Sequence, residues 1–163
     1  MELDWRPLAE FPEYVISNFG DIVNANSGRW MAQSQNQNGV VKVGLFKNGR
    51  QHTRSVGVLV AETFVAGRDS ISDTVVHLDG DLSHNRADNL VWRPRWFAHA
   101  YACQFGGVSD NSRIGPIRCT STGDRYMDVY EAAITCGLLM EDIRKSIVME
   151  TPVFPTHQRF QMV

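Results

Sequence analysis

The stretch that decides the fold reads Val75-Val76-His77-Leu78-Asp79-Gly80-Asp81-Leu82-Ser83-His84-Asn85-Arg86-Ala87-Asp88-Asn89-Leu90-Val91-Trp92. Its ends are β-branched, apolar or aromatic and its middle is polar. This predicts a short strand over residues 74–78, a turn at Asp79-Gly80, and a second strand over residues 89–92. From Trp96 to Gln104 the pattern becomes helical, with Gly106-Gly107 as the stop signal.

Upstream, Val56, Leu59, Val60, Thr63 and Phe64 recur at the spacing of one helical face, which predicts a helix over residues 56–65. Before it, the runs 40–46 and 50–55 flank Lys47-Asn48-Gly49, and Asn-Gly between such runs is the strongest short hairpin signal. Residues 32–39, Ala-Gln-Ser-Gln-Asn-Gln-Asn-Gly, read as a polar loop. Residues 14–23 read as strand, tight turn and strand, with Asn18 and Gly20 supplying the turn.

Downstream, residues 106–115 are rich in Gly, Ser, Asp and Asn and read as a linker. A hairpin is then expected from residues 116–120 and 126–129 around Ser121-Thr122-Gly123-Asp124. Helices are expected over residues 130–136 and 141–148, joined through Gly137. Such a pair is a helix-turn-helix candidate, and equally a plain helical hairpin. The element order as a whole predicts an α+β chain.

Composition narrows the function classes. The chain has 163 residues and is 43% hydrophobic, as expected for globular modules. No apolar run is long enough to cross a membrane, and the first residues lack a basic region followed by an apolar one, so the expected compartment is the cytoplasm. Cys103, Cys119 and Cys136 form no Cys-x-x-Cys pair and read as buried free thiols rather than as a zinc knuckle or a disulfide framework. The net charge of −2 does not favour nucleic acid, but its distribution is uneven. Residues 31–65 carry Lys42, Lys47, Arg50 and Arg54 against Glu62 alone. Such a local patch can engage phosphates, and can equally protect a sheet edge.

The deciding stretch resembles the His-x-Asp-Gly … Asn-Asn-Arg-x-x-Asn-Leu-x-Trp core of HNH homing endonucleases of phages and group I introns. His77, Asp79, Gly80, Asn85, Arg86, Asn89, Leu90 and Trp92 match in register. Trp5-Arg6-Pro7, Phe11 and the run 14–22 resemble the small module that precedes such domains. Leu59-Val60-Ala61-Glu62-Thr63-Phe64 resembles the leading helix. Tyr130-Glu131-Ala132-Ala133 and Asp142-Ile143-Arg144-Lys145 resemble the DNA-binding repeat that follows.

The resemblance implies an N-terminal strand-rich nuclease-associated module (1–55), a ββα-metal module with its leading helix (56–105), a linker (106–115) and a C-terminal β-hairpin with helix-turn-helix (116–163). It implies duplex DNA as partner and, for an active enzyme, Mg²⁺ or Mn²⁺. His77 would be the general base and Asn89 the brace of its loop. The chain departs from the pattern in two places, the metal ligands and the leading helix. The metal ligands expected before His77 and on the following helix are replaced by Val76 and Ala98, which have no donor atom. The leading helix carries Gly57-Val58 where a His-Arg pair is usual. Asp79, His84 and His99 are the substitute ligands within reach of the sequence.

DNA contacts are expected from Lys42, Lys47, Arg50, Arg54, Arg93, Arg95, Arg144 and Lys145. In Trp92-Arg93-Pro94-Arg95-Trp96 the indoles could stack or be core, and the guanidinium groups could clamp phosphates or face solvent. The function implied is a duplex-DNA-binding protein of a phage or mobile element with cleavage weakened or lost. The alternatives are an active nickase with atypical ligands and a non-enzymatic module that binds a phage or host protein.

Overall fold

A computed structural model of the chain describes residues 1–107 and 114–163. It is a mixed α+β structure that divides into two compact units, Met1–Arg95 and Trp96–Val163. Among the described residues no helix is long and apolar enough to cross a membrane.

The first unit holds three small antiparallel sheets. β1 (Trp5–Pro7), β2 (Tyr14–Ser17) and β3 (Ile22–Asn24) form one. The β2–β3 turn uses Gly20 at φ +95°, a conformation other residues rarely adopt. Buried Asn18 holds the amino-terminal segment, accepting from the Asp4 amide at 3.0 Å and donating to the Glu2 carbonyl at 2.6 Å.

β4 (Gln33–Gln35), β5 (Val41–Lys47) and β6 (Arg50–Ser55) form the second sheet. β5 and β6 are joined at Asn48 and Gly49, both at positive φ (52° and 73°), which is the twist a two-residue hairpin requires. β4 corrects the expectation of a plain loop over residues 32–39. Its three residues are all exposed, so no hydrophobic alternation marks them, and backbone pairing with Val41–Val43 alone makes the strand.

β7 (Thr74–His77) and β8 (Leu90–Arg93) make the third sheet, a two-stranded hairpin around the polar loop. α1 (Val56–Phe64) buries Val56, Leu59, Val60 and Ala61 against Phe11, Tyr14, Ile16, Ile22, Val43, Leu45, Leu90 and Trp92, which gives all three sheets one shared core. Two polar groups at that core have partners. Tyr14 Oη accepts from the Phe46 amide at 3.1 Å, and Trp92 Nε1 donates to the Val65 carbonyl at 3.0 Å.

The second unit contains α2 from Trp96 onward (the helix spans Arg95–Gln104), followed by a short 3-10 turn over Phe105–Gly107. The expected linker falls largely on residues 108–113, which lie outside the described residues. β9 (Ile117–Cys119), β10 (Arg125–Tyr126) and β11 (Phe160–Met162) form a sheet in the order β10-β9-β11. β11 was not legible because it is three residues long at the end of the chain, with only Phe160 buried.

α3 (Val129–Cys136) begins at Asp128, whose carboxylate accepts from the Glu131 amide, while Glu131 reaches back to the Met127 amide. It ends at Gly137 in the left-handed conformation (φ 63°), and α4 (Met140–Met149) follows. Ile117, Cys119, Val129, Ala132, Ala133, Leu138, Ile143 and Phe160 form the core of this unit. α2 belongs to it through Phe97 and Tyr101, with Tyr101 Oη donating to the Ala133 carbonyl at 3.3 Å.

Candidate active site

His77 is the last residue of β7 and pairs across the hairpin with Leu90. Strand alternation puts His77, Val75, Leu90 and Trp92 on the side that carries the core, and Val76 with its partner Val91 on the other side. The imidazole therefore turns inward, toward α1 and the loop. Its Nε2 lies 3.0 Å from Asn85 Oδ1. Asn85 is itself buried, and its amide nitrogen donates to the Ser83 carbonyl at 3.2 Å, which fixes the amide with its oxygen toward the ring. An acceptor opposite Nε2 requires that nitrogen to carry the proton. Nδ1 then holds the lone pair. It is buried and has no hydrogen-bond partner among the described residues.

Burial pushes the His77 pKa below the ordinary histidine value, and the Asn85 amide oxygen and the nearby Asp79 and Asp81 only partly oppose this. The ring is neutral at pH 7, with Nδ1 as its basic atom. Gly57 of α1 explains the tight enclosure. A Cβ there would lie 2.6 Å from Asn85 Oδ1 and 3.1 Å from His77 Nε2, so the helix backbone closes over the hydrogen-bonded pair. A larger side chain at position 57 has no room while that pair is intact.

Asn89 braces the loop. Its Oδ1 accepts from the Asp79 amide at 3.2 Å, and its Nδ2 donates to Asp79 Oδ1 and to the His84 carbonyl, both at 2.9 Å. The Asp79 carboxylate also takes the Asp81 amide at 2.9 Å, and its Oδ2 meets His84 Nδ1 at 2.7 Å. Burial raises the Asp79 pKa, but the bonds from Asn89, His84 and the Asp81 amide outweigh it and hold the carboxyl below the usual range.

These contacts decide how well the donor set suits a divalent ion. Val76 offers only hydrocarbon, and both Asp79 oxygens are engaged in holding the loop. His99 lies on an exposed part of α2, its Nδ1 3.9 Å from Cys103 Sγ, and Ala98 beside it is half-buried. No group of three His, Cys, Asp or Glu side chains among the described residues could hold an ion. The set does not fit a hard cation, which takes several oxygen ligands, and no hydrolytic step through such an ion follows from it.

The basic residues fall into two groups. Arg54 is paired with Glu10 through two hydrogen bonds, Arg144 lies 3.5 Å from Glu141, and Lys145 lies 3.8 Å from Asp142. Lys42, Lys47, Arg50 and Arg95 are exposed. Lys47 and Arg50 face each other across the β5–β6 turn, with the Lys47 ammonium 5.7 Å from the Phe11 ring. Arg93 is half-buried and donates to the Trp92 carbonyl at 3.0 Å. Of the two indoles beside these arginines, Trp92 is core and Trp96 is 60% exposed, its ring against Phe97 and Phe154.

Two residues of the site carried no role in the sequence reading, Asn85 as the partner of His77 and Gly57 as its lid. A glycine inside an otherwise helical pattern was the available signal for the second, since such a position usually has a packing reason.

Comparison with known proteins agrees with this architecture. The NUMOD4 motif matches residues 4–46. An uncharacterized HNH endonuclease, L247, of Acanthamoeba polyphaga mimivirus is 39% identical over 92 residues, which cover 54% of this chain and 23% of that protein. The DNA endonuclease I-HmuI of Bacillus phage SP01 is 31% identical over 91 residues, covering 55% of this chain and 52% of that protein. The chain thus matches about half or less of the length of these relatives. A solved structure of the HNH homing endonuclease I-HmuI superposes with a TM-score of 0.57 at 21% identity, covering 97% of each chain, and shares the fold. The His77-to-Trp92 hairpin and loop, the amino-terminal motif and these likenesses together support an HNH homing endonuclease relationship, which the chain matches in sequence over about half of its length and in fold over nearly all of it.

Proposed function

We propose that this chain is a duplex-DNA-binding protein of a phage or mobile element, acting in the host-cell cytoplasm, whose metal-dependent phosphodiester cleavage is weakened or lost. The family frame supports DNA as partner, since I-HmuI is named a DNA endonuclease and its solved structure concerns DNA binding and cleavage. The observation that carries the loss is the pairing of a retained base with a missing donor. His77 keeps a neutral ring with a basic Nδ1, but that atom is buried, Val76 precedes it, and the Asp79 carboxylate is occupied by its own loop. A general base must reach the water it deprotonates. In an active relative, Mg²⁺ or Mn²⁺ would stabilise charge on the phosphate, and at this site the oxygen ligands for it are lacking.

The reading is tested by titrating a labelled duplex at several salt concentrations and assaying the same samples for nicks with Mg²⁺ or Mn²⁺. Binding that weakens with salt, without metal-dependent nicking, is the expected result. Failure to bind any duplex at low salt would favour a protein-binding role instead. A second reading, an active nickase with atypical ligands, draws on the contact between Asp79 and His84. It requires millimolar Mg²⁺ or Mn²⁺ to raise the melting temperature, because a ligand that binds the native state stabilises it.

A further inference from the structure

The outer face of the carboxy-terminal sheet carries a row of donors that the assigned contacts leave out. In β9 the burial alternates, with Ile117 and Cys119 inward and Arg118 exposed. In β10, Tyr126 is inward and Arg125 exposed, and in β11, Phe160 is inward and Gln161 exposed. The register sets Arg125 directly opposite Arg118, and Gln161 opposite Arg118 on the other side. The row Arg125–Arg118–Gln161 therefore crosses all three strands on one face.

Two like charges directly opposite each other destabilise a sheet pair. Several cations elsewhere in the chain are compensated, as in Arg6–Asp4, Arg54–Glu10, Arg68–Glu62 and Arg86–Asp88, whereas Lys47 and Arg50 form a second exposed like-charged cross-strand pair. Among the described residues no ion pair or side-chain hydrogen bond engages Arg118 or Arg125. Asp124, next to Arg125 in sequence, takes the Thr122 hydroxyl within its own turn. On α4 of the same unit, by contrast, Arg144 and Lys145 lie beside Glu141 and Asp142. Arg118 and Arg125 on the sheet thus stand in contrast to the cations of α4, which have acidic neighbours.

We propose that the outer face of the β10-β9-β11 sheet, through Arg118 and Arg125 with Gln161 beside them, contacts the sugar-phosphate backbone of duplex DNA. A guanidinium fits a phosphate with paired donors, and an amide adds one more hydrogen bond. A contact of this kind positions the protein without reading sequence. The inference rests on the DNA-binding reading above and assigns a surface to it.

The test compares the full chain with the Arg118→Gln/Arg125→Gln double variant on two duplexes of unrelated sequence, over a range of salt. If each guanidinium meets one phosphate, the double variant binds both duplexes about 60-fold more weakly at 0.1 M salt, and the slope of log affinity against log salt falls by about 1.8. The Arg118→Lys/Arg125→Lys variant keeps most of that slope. Both sites are exposed and like-charged, so the glutamine variant melts no lower than the parent, which separates lost contact from lost fold. Unchanged affinity and slope in that variant, with the parent binding DNA normally, overturn this surface and leave the DNA-binding reading standing. A loss confined to one of the two duplexes also overturns it, because backbone contacts are indifferent to sequence. A parent that binds neither duplex overturns both.

Discussion

His77 Nε2 and Asn85 Oδ1 lie 3.0 Å apart, and the backbone of Gly57 closes over their hydrogen bond. This contact fixes the tautomer of the ring and its direction, and it ties strand β7, the loop after it and helix α1 into one site. Whether the histidine is a working base or a structural remnant depends on what this arrangement permits.

Gly57→Ala tests the lid. Alanine favours a helix over glycine by about 1 kcal/mol. Here its Cβ would lie 2.6 Å from Asn85 Oδ1, inside contact distance. Moving a buried, hydrogen-bonded pair costs about 1–3 kcal/mol, so the steric effect prevails and the urea midpoint falls. A raised midpoint would show that Asn85 and His77 shift without penalty.

Asn85→Ala removes the acceptor of the Nε2 proton and leaves a buried donor unpaired. Such a loss costs about 1–3 kcal/mol of stability. The Asn85 oxygen favours the charged ring, so without it the His77 pKa drops further below the histidine range. The ring resonances of His77 followed by NMR through a pH titration read this directly, and an unmoved midpoint would mean that the bond is absent in solution.

The same pKa direction fixes the sign of a pH effect. The folded state holds His77 with a lowered pKa, so between that value and the ordinary 6.5 the unfolded chain binds more protons. The stability contributed is complete above pH 6.5 and is lost as pH falls toward the folded-state pKa. Denaturant midpoints of the parent and His77→Gln, compared from pH 8 to pH 5, should show the parent losing more stability on acidification. Parallel curves would contradict the burial of the ring.

The ion pairs sort the expected DNA contacts of the first unit. Arg54 is held by Glu10, whose carboxyl lies below its usual pKa through that hydrogen bond. Arg50 is exposed at the hairpin turn, opposite Lys47. Arg50→Gln should lower the salt slope of duplex binding by about 0.9, the value of one phosphate contact, and Arg54→Gln should leave it nearly unchanged. Equal effects would mean that the Glu10 pair opens on DNA.

Much of the first unit was legible because its signals are local. Asn48-Gly49 set the hairpin, the Val56-to-Phe64 spacing gave the helix, and the residues from His77 to Trp92 marked the strands around a polar loop. β4 and β11 escaped because backbone pairing with distant partners makes them, and exposed Gln33, Ser34, Gln35 and Gln161 give no pattern to read. In the site, His77 and the brace by Asn89 were readable from motif positions. The closing of Gly57 over Asn85 was not, since it depends on how α1 lies against a loop nearly thirty residues further along the chain. The internal pairing of Arg54 with Glu10 was hidden for the same reason, because charge counted along a sequence does not show which partner the fold brings near.

The loss of cleavage rests on the missing oxygen donors around His77, and one assay addresses it directly. Supercoiled plasmid carrying a bound site is incubated with the parent chain, Val76→Asp and His77→Ala in Mg²⁺ or Mn²⁺, and open-circle product is followed with time. No nicking above background is expected from the parent, from Val76→Asp alone or from His77→Ala, because one added carboxylate does not supply the several oxygen ligands a hard cation takes. Nicking by the parent that requires metal and disappears in His77→Ala would contradict the loss.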